Sequence, residues 1–362
     1  MTCKKIKNFL INCKYFYLNV IRYLKSSKKG GGKTVYFDIS ENFYKRYLHI
    51  FAYFFYLNNF QIFFRVRFRF IGDWYWATQE IFKFNPNVRL CLFKKKADIS
   101  IVDNVSKKDS NSILITPEYF NGSSRTESYH IPMSMYHTNY YNNMYEDKAR
   151  LALKGNRKIR VLFAGNLENS EYYNDRDFYG KFKITNRLDI INFICKKFKN
   201  RIMIPDSYIE YTKMLEMEDQ IDILLVDRRK FSIPPDLFLQ QLSNMSFFIA
   251  APGVVMPLCH NIIEAMCVGS IPILEYSDSF MPHLEGRVNC ISFNGLPDLE
   301  KKIDDVLGMD EITISGIREN TVKYYNDYLS PSSVINHIEK NRYNLKKLFL
   351  NAEHLSVDLI DK

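Results

Sequence analysis

The chain predicts an α/β protein built from two doubly wound parallel sheets, and three observations carry that expectation. Short apolar runs of four to seven residues alternate with stretches of helical period, and the alternation restarts once along the chain. The runs in the second half, such as Phe247 to Ala251, are apolar throughout instead of alternating, as in strands covered on both faces. A length of 362 residues with 46% hydrophobic content is enough for two domains of ordinary size.

Residues 1–33 hold nine Lys or Arg and no Asp or Glu, with Ile6, Phe9, Leu10, Cys13, Tyr17, Val20, Ile21 and Leu24 at helical spacing. They predict a basic amphipathic helix and linker, and residues 1–29 suit an anionic membrane surface. A basic helix packed on the protein body has the same pattern. The following Lys29-Gly30-Gly31-Gly32-Lys33-Thr34 is not a phosphate loop. Its first glycine would fall at Ser27, and it precedes a strand instead of joining a strand to a helix.

The first domain, 34–150, opens with a strand at Thr34 to Ile39, a very aromatic helix at Glu41 to Leu57 and a strand at Gln61 to Arg65. Further strands are expected at Val88 to Phe93, Ile99 to Val102 and Ser112 to Thr116. Pro117 to Ala149 has weak periodicity and reads as an irregular loop and interdomain hinge. The second domain, 151–330, has expected strands at Lys158 to Phe163, Arg201 to Ile204, Ile221 to Val226, Phe247 to Ala251, Ile271 to Leu274 and Cys290 to Phe293. Helices such as Arg187 to Phe198 and Pro235 to Ser243 fall between them. Two long helices, Ile312 to Tyr328 and Pro331 to Ala352, are expected to close the chain, with 331–362 forming a separate terminal segment.

Ligands of doubly wound sheets bind at the carboxyl ends of the strands. That rule gathers Gly165 and Asn166, Asp227-Arg228-Arg229, Pro252 and Gly253, and Glu275-Tyr276 around one crevice. The densest signal is Ser246 to Leu274: a buried strand, the Pro252-Gly253 loop, a helix from His260, a glycine stop at Gly269, and a second buried strand. The helix start turns its unpaired N–H groups and positive dipole end toward the loop, where a diphosphate would sit. Glu264 shares a helical face with His260 and Asn261 and could accept hydrogen bonds from two vicinal hydroxyls. Plainer roles stand beside these. Asn261 and His260 are ordinary residues for a helix start, and Gly269 is a helix C-terminal glycine.

At these residues the chain resembles the C-terminal half of GT-B glycosyltransferases, most closely the exostosin-like group, whose R/N-x-x-E-A-x-x-x-G-x-I-P-V-like segment matches Asn261 to Ile273. Arg160 to Asn166 and Asn289 to Asn294 resemble the first and last strands of that nucleotide-binding domain, so the likeness covers roughly 155–330. It departs at Met256, where many GT-B enzymes carry a second glutamate, and the stereochemical outcome stays open. The resemblance implies two Rossmann-like domains facing a cleft, with a last helix that crosses back to the first domain. It also implies a nucleotide-sugar donor and a glycan or lipid-linked acceptor.

Such a transferase must stabilise a leaving diphosphate and deprotonate an acceptor. Arg187, Arg228, Arg229 and the amides near His260 are the candidate donors to the diphosphate, with no metal and no cofactor expected. Asp73, in Gly72-Asp73-Trp74-Tyr75-Trp76, is the candidate general base, and His130 and His137 are alternatives. Asp73 reads more simply as a loop residue capping the next helix.

A metal-dependent reading would rest on Asp175-Arg176-Asp177, but no strand leads into that triplet. The net charge of +10 is compatible with nucleic acid, where Arg65, Arg67 and Arg69 alternate with Val66, Phe68 and Phe70. The same alternation describes a strand with one solvated face, so no nucleic-acid partner is expected. A noncatalytic scaffold of the same fold is the remaining alternative. Seven cysteines without a C-x-x-C pair point to a reducing compartment. Without a secretory signal or a spanning run, the chain is expected in the cytoplasm, and the membrane reading of residues 1–29 would place it at the inner face of the cytoplasmic membrane.

Overall fold

A computed structural model describes residues 32–40, 44–65, 88–91, 93–109, 112–121, 126–141, 157–167 and 178–360, with positions 10, 13, 14 and 17. The basic helix expected in 1–33, Asp73, Arg67, Arg69 and Asp175-Arg176-Asp177 lie outside the described residues, apart from those four positions and the linker end. The chain divides into two compact units, Met1–Pro132 with Ser330–Lys362, and Met133–Leu329. Each contains one parallel, Rossmann-like α/β sheet.

In the first unit, β1 (Thr34–Asp38), α1 (Lys45–Leu57) and β2 (Gln61–Arg65) make a βαβ start. β3 (Val88–Cys91), β4 (Ile99–Val102), β5 (Ser112–Thr116) and β6 (Ser128–His130) follow. The sheet order is β3-β2-β1-β4-β5-β13-β6, where β13 is Lys347–Phe349. All its pairs are parallel. The aromatic face of α1 closes on the sheet: Phe37 stacks on Phe64 at 4.7 Å and meets Phe51 and Phe55 edge-on at 6.1 and 5.9 Å. Offset and edge-to-face rings bury much apolar area in favourable quadrupole geometry, which explains so aromatic a helix.

β13 corrects the sequence expectation. The helix predicted from Pro331 to Ala352 ends at Asn341, and a turn leads into a strand. Leu345, Leu348 and Phe349 continue the helical spacing of Val334, Ile335 and Ile338, and that spacing misleads. A three-residue strand is too short to show a period of two, and its burial between β5 and β6 decides the matter. Likewise, the stretch 117–149 is not uniformly irregular: it holds β6 and a short helix, α2 (His137–Tyr141).

The second unit runs β7 (Ile159–Gly165), α3 (Phe178–Phe182), α4 (Arg187–Lys197), β8 (Ile202–Met203), α5 (Tyr208–Glu216), β9 (Ile221–Asp227) and α6 (Pro235–Leu242). It continues with β10 (Met245–Ile249), α7 (His260–Cys267), β11 (Ile271–Leu274), β12 (Ile291–Ser292), α8 (Gly295–Gly308) and α9 (Glu311–Tyr324). A π-helical turn, Tyr325–Leu329, ends the unit, and α10 (Pro331–Asn341) belongs to the first.

The sheet order is β12-β11-β10-β7-β9-β8, all parallel. Successive strands fill one side of β7, then the chain passes to its other side at β10. The switch point of the sheet therefore lies between the carboxyl ends of β7 and β10. Val161, Phe163, Phe247, Ile249, Ile271 and Ile273 line one face of the sheet and pack with Ile190, Ile191 and Ile194 of α4 and Leu299, Ile303 and Val306 of α8. Among the described residues no helix is long and apolar enough to cross a membrane.

Candidate functional site

The site is built from three connections that meet at the switch point. The first is the end of β7, where Ala164 and Gly165 deliver the chain to Asn166. The carbonyl of Gly165 accepts the Arg228 N–H at 2.9 Å, which ties the end of β7 to the turn after β9. The carbonyl of Ala164 accepts Nδ2 of Asn261 at 3.2 Å, so the first turn of α7 is fastened to the same strand end.

The second connection is the loop after β10. The N–H of Gly253 donates to the carbonyls of Met256 and Pro257 at 3.1 and 3.3 Å, folding Pro252–Leu258 back on itself. A Cβ at Gly253 would stand 2.8 Å from the Met256 carbonyl oxygen, so the turn requires glycine. Its own carbonyl accepts the Tyr179 hydroxyl at 3.2 Å.

Arg187 is the third. Asn186 caps α4 by accepting the Asp189 N–H at 2.9 Å, which fixes Arg187 in the first position of the helix. Its Nε donates to the Pro252 carbonyl at 2.9 Å, and its guanidinium lies 5.8 Å from the Phe163 ring. A Cβ on Gly165 would come within 3.5 Å of Nη1, so the cation sits where β7 and β10 diverge.

α7 begins beside this cation. Its N-cap, Cys259, makes no side-chain capping hydrogen bond among the described residues, as is also true of α1, α6 and α8, whereas α4, α5, α9 and α10 are capped by side-chain oxygens of Asn186, Ser207, Asp310 and Ser330. The other end of α7 stops as its sequence dictates. Gly269 has φ 69°, its N–H donates to the Met266 carbonyl, and the Ser270 N–H donates to that of Ala265. This is a Schellman closure, which needs a left-handed residue at that position.

Glu264 and His260 do share a face of α7, and that face is covered by the chain's own segment 133–141. Oε1 of Glu264 accepts the Tyr136 N–H and Nδ2 of Asn139, both at 2.9 Å. Nδ1 of His260 lies 2.8 Å from the Ser134 carbonyl oxygen, which can only accept, so that nitrogen carries the proton. The Tyr140 hydroxyl accepts the Met135 N–H at 2.9 Å and stiffens the segment. Glu264 is 2% exposed. Burial pushes its carboxyl up to about 7, against the two hydrogen bonds that favour the ionised form. Among the described residues no hydrogen bond reaches Oε2.

The strand-end arginines divide. Arg229 turns back to Asp227, with Nη2 2.6 Å from Oδ2 and its N–H 3.1 Å from Oδ1. Burial pushes the Asp227 carboxyl up, but hydrogen bonds from Arg229 and from the Leu167 N–H outweigh it and hold it below the usual range. Arg228 is exposed. Glu275 is occupied by the N–H groups of Thr185 at 2.5 Å and Gly295 at 2.6 Å. The switch point thus brings together Gly165, Arg187, Pro252, Gly253 and Asn261, while Arg229 is paired with Asp227; Asn166 follows Gly165 at the end of β7.

In the first unit, His130 is buried against Phe349 at 4.5 Å and Tyr119 at 5.5 Å, a core position unsuited to a base that must reach solvent-borne substrate. A charged cluster that the sequence reading passed over lies at the carboxyl ends of β1, β2 and β4. Arg65 pairs with Asp38 at 2.7 Å. Lys107 Nζ donates to Asp103 at 2.6 Å and Ser40 at 2.7 Å, and the Ser40 N–H donates to Asp103 at 2.6 Å. The signal was present: Asp38 ends the apolar strand β1, and Asp103 directly follows β4. Arg65 is therefore engaged inside the unit. Among the described residues no group of three or more His, Cys, Asp or Glu could hold a metal ion.

No family model and no curated protein matches the chain. Similar solved structures include the Anabaena protein HepE in complex with UDP, with 11% identity, a TM-score of 0.44, and 87% of this chain and 100% of that one covered. A glycosyltransferase from Rickettsia africae aligns with 11% identity and a TM-score of 0.44 over 87% of this chain and 99% of that one. Sucrose-phosphate synthase from Thermosynechococcus elongatus aligns with 9% identity and a TM-score of 0.43 over 85% of this chain and 98% of that one. Likenesses this distant leave function to the chain's own residues.

Proposed function

We propose that the chain is a glycosyltransferase of the GT-B type that takes a nucleotide-sugar donor at the switch point of its second sheet. One observation supports this most: Arg187, the first turn of α7 with Asn261, and the Pro252-Gly253 loop converge where β7 and β10 diverge. A cation and a helix N-terminus at that point suit a diphosphate. In this reading Arg187 and the α7 amides take up the charge that grows on the leaving diphosphate as the sugar–phosphate bond breaks. Glu264 receives the ribose hydroxyls, Arg228 is a second cation near the phosphates, and the acceptor hydroxyl loses its proton to a base for which Asp73 is the candidate. The acceptor is a glycan or lipid-linked glycan of a surface polysaccharide or glycolipid, met at an anionic membrane surface by residues 1–29.

The test is calorimetric titration of the purified chain with UDP, GDP, ADP, CDP, dTDP and UDP-glucose, with and without EDTA, on wild type and Arg187→Ala. One nucleotide binding with micromolar affinity, insensitive to EDTA and weakened in R187A, is the expected outcome. Binding of none, or binding that R187A leaves untouched, removes the donor-site reading.

A further inference from the structure

Segment 133–141 does more to α7 than cover it. Asn139 is 4% exposed and lies 125 residues from Glu264 in sequence, and its amide and the Tyr136 N–H converge on the same carboxylate oxygen. Two donors on one oxygen fix the plane of the carboxyl group, since a half-turn only exchanges the two oxygens. His260 anchors the same segment through the Ser134 carbonyl, one turn earlier on the helix. The Asn139 N–H donates to the Tyr136 carbonyl at 3.0 Å, which locks the two donors to each other. The clamp is built from neutral groups. It therefore orients the carboxylate without neutralising it, unlike Arg229 on Asp227.

We propose that Asn139 is a positioning residue that, with the Tyr136 N–H, holds Glu264 by Oε1 so that Oε2 is presented to the ribose hydroxyls of the donor nucleotide. The inference rests on the donor-site reading above and gives it a specificity element: the chain distinguishes a ribonucleoside from a 2′-deoxyribonucleoside diphosphate through a carboxylate aimed by a segment outside the nucleotide motif. A hydrogen bond to a charged acceptor discriminates by about tenfold or more when its donor is removed from the ligand. Loss of Asn139 lets the carboxyl turn and makes it harder to ionise, so the discrimination falls and the pH at which it appears rises.

The experiment compares UDP, GDP, ADP and CDP each with its 2′-deoxy counterpart, by calorimetry on wild type, Asn139→Ala and Asn139→Asp between pH 6 and pH 8.5. Wild type is expected to prefer the ribonucleotide by about tenfold, increasingly so as pH rises through 7. N139A is expected to bind both sugars nearly equally. N139D places a second carboxyl beside Glu264, and one proton shared between them restores the preference at pH 6 and loses it at pH 8. This variant also decides the matter should N139A fail to fold. If wild type prefers the ribonucleotide and both variants keep that preference at every pH, the positioning role is overturned and the donor site stands. Equal binding of both sugars by wild type overturns the contact between Glu264 and ribose. Binding of no nucleoside diphosphate overturns the donor site, and this inference with it.

Discussion

Replacing Glu264 by glutamine changes how stability depends on pH, and the structure sets both sign and size. Burial pushes this carboxyl from an ordinary 4.5 up to about 7. Between those values the folded chain holds a proton that the unfolded chain has released. The contribution is therefore complete below about pH 4.5 and is lost as pH rises through 7. At about 1.4 kcal/mol per pH unit, the full span corresponds to about 3 kcal/mol. The Glu264→Gln side chain would keep the shape and the oxygen that Tyr136 and Asn139 address, but it cannot ionise. Urea melts of both proteins at pH 5, 6, 7 and 8, followed by far-UV circular dichroism, should start nearly superimposed. By pH 8 the variant should be the more stable by about 2–3 kcal/mol. Parallel pH profiles would mean that Glu264 is ionised at ordinary pH in a polar setting, and the account of its burial would be wrong.

Other substitutions read other parts of the unit. Gly269→Ala forces a side chain into a left-handed position and within 2.9 Å of Arg318 Cγ and 3.0 Å of Val322 Cγ2; it should cost about 1–3 kcal/mol in a urea melt, and a neutral result would contradict the Schellman closure. Arg157 is buried with Nη1 2.6 Å from the Met245 carbonyl and Nη2 2.7 Å from that of Val268, which ties the start of β10 to the end of α7. Arg157→Met should lower the melting midpoint with a loss of about 2–4 kcal/mol, and retention of wild-type stability would show those carbonyls to be served otherwise. Arg187→Ala should reduce affinity for the cognate nucleoside diphosphate by about tenfold or more while leaving the corresponding nucleoside nearly unaffected. An equal loss for both would place Arg187 in the scaffolding of the Pro252-Gly253 loop alone.

The second sheet was readable because its central strands are buried on both faces and appear as unbroken apolar runs, as in Phe247-Phe248-Ile249. Gly269 was readable because a helix that must stop before a buried strand leaves few alternatives to a left-handed residue. The partners of Glu264 were not readable, since Tyr136 and Asn139 stand more than a hundred residues away in a stretch without period. Asp38 and Asp103 were visible as acidic residues at the ends of strands, but their meeting depends on β4 lying beside β1, which is a fact of topology. β13 failed for a related reason: three residues carry too little pattern, and what makes Lys347–Phe349 a strand is the space left between two others.

That space sets an order of events during synthesis. Every residue of the second unit emerges before Lys347, so it can fold to completion while the first unit still has an open seam between β5 and β6. Until Leu348 and Phe349 arrive, the seam exposes unsatisfied backbone edges of the kind that recruit foreign strands. An open seam of this kind is an edge that a foreign strand can join until the native one fills it. A peptide matching residues 345–351, offered in trans, would compete for that seam only before the native segment has closed it.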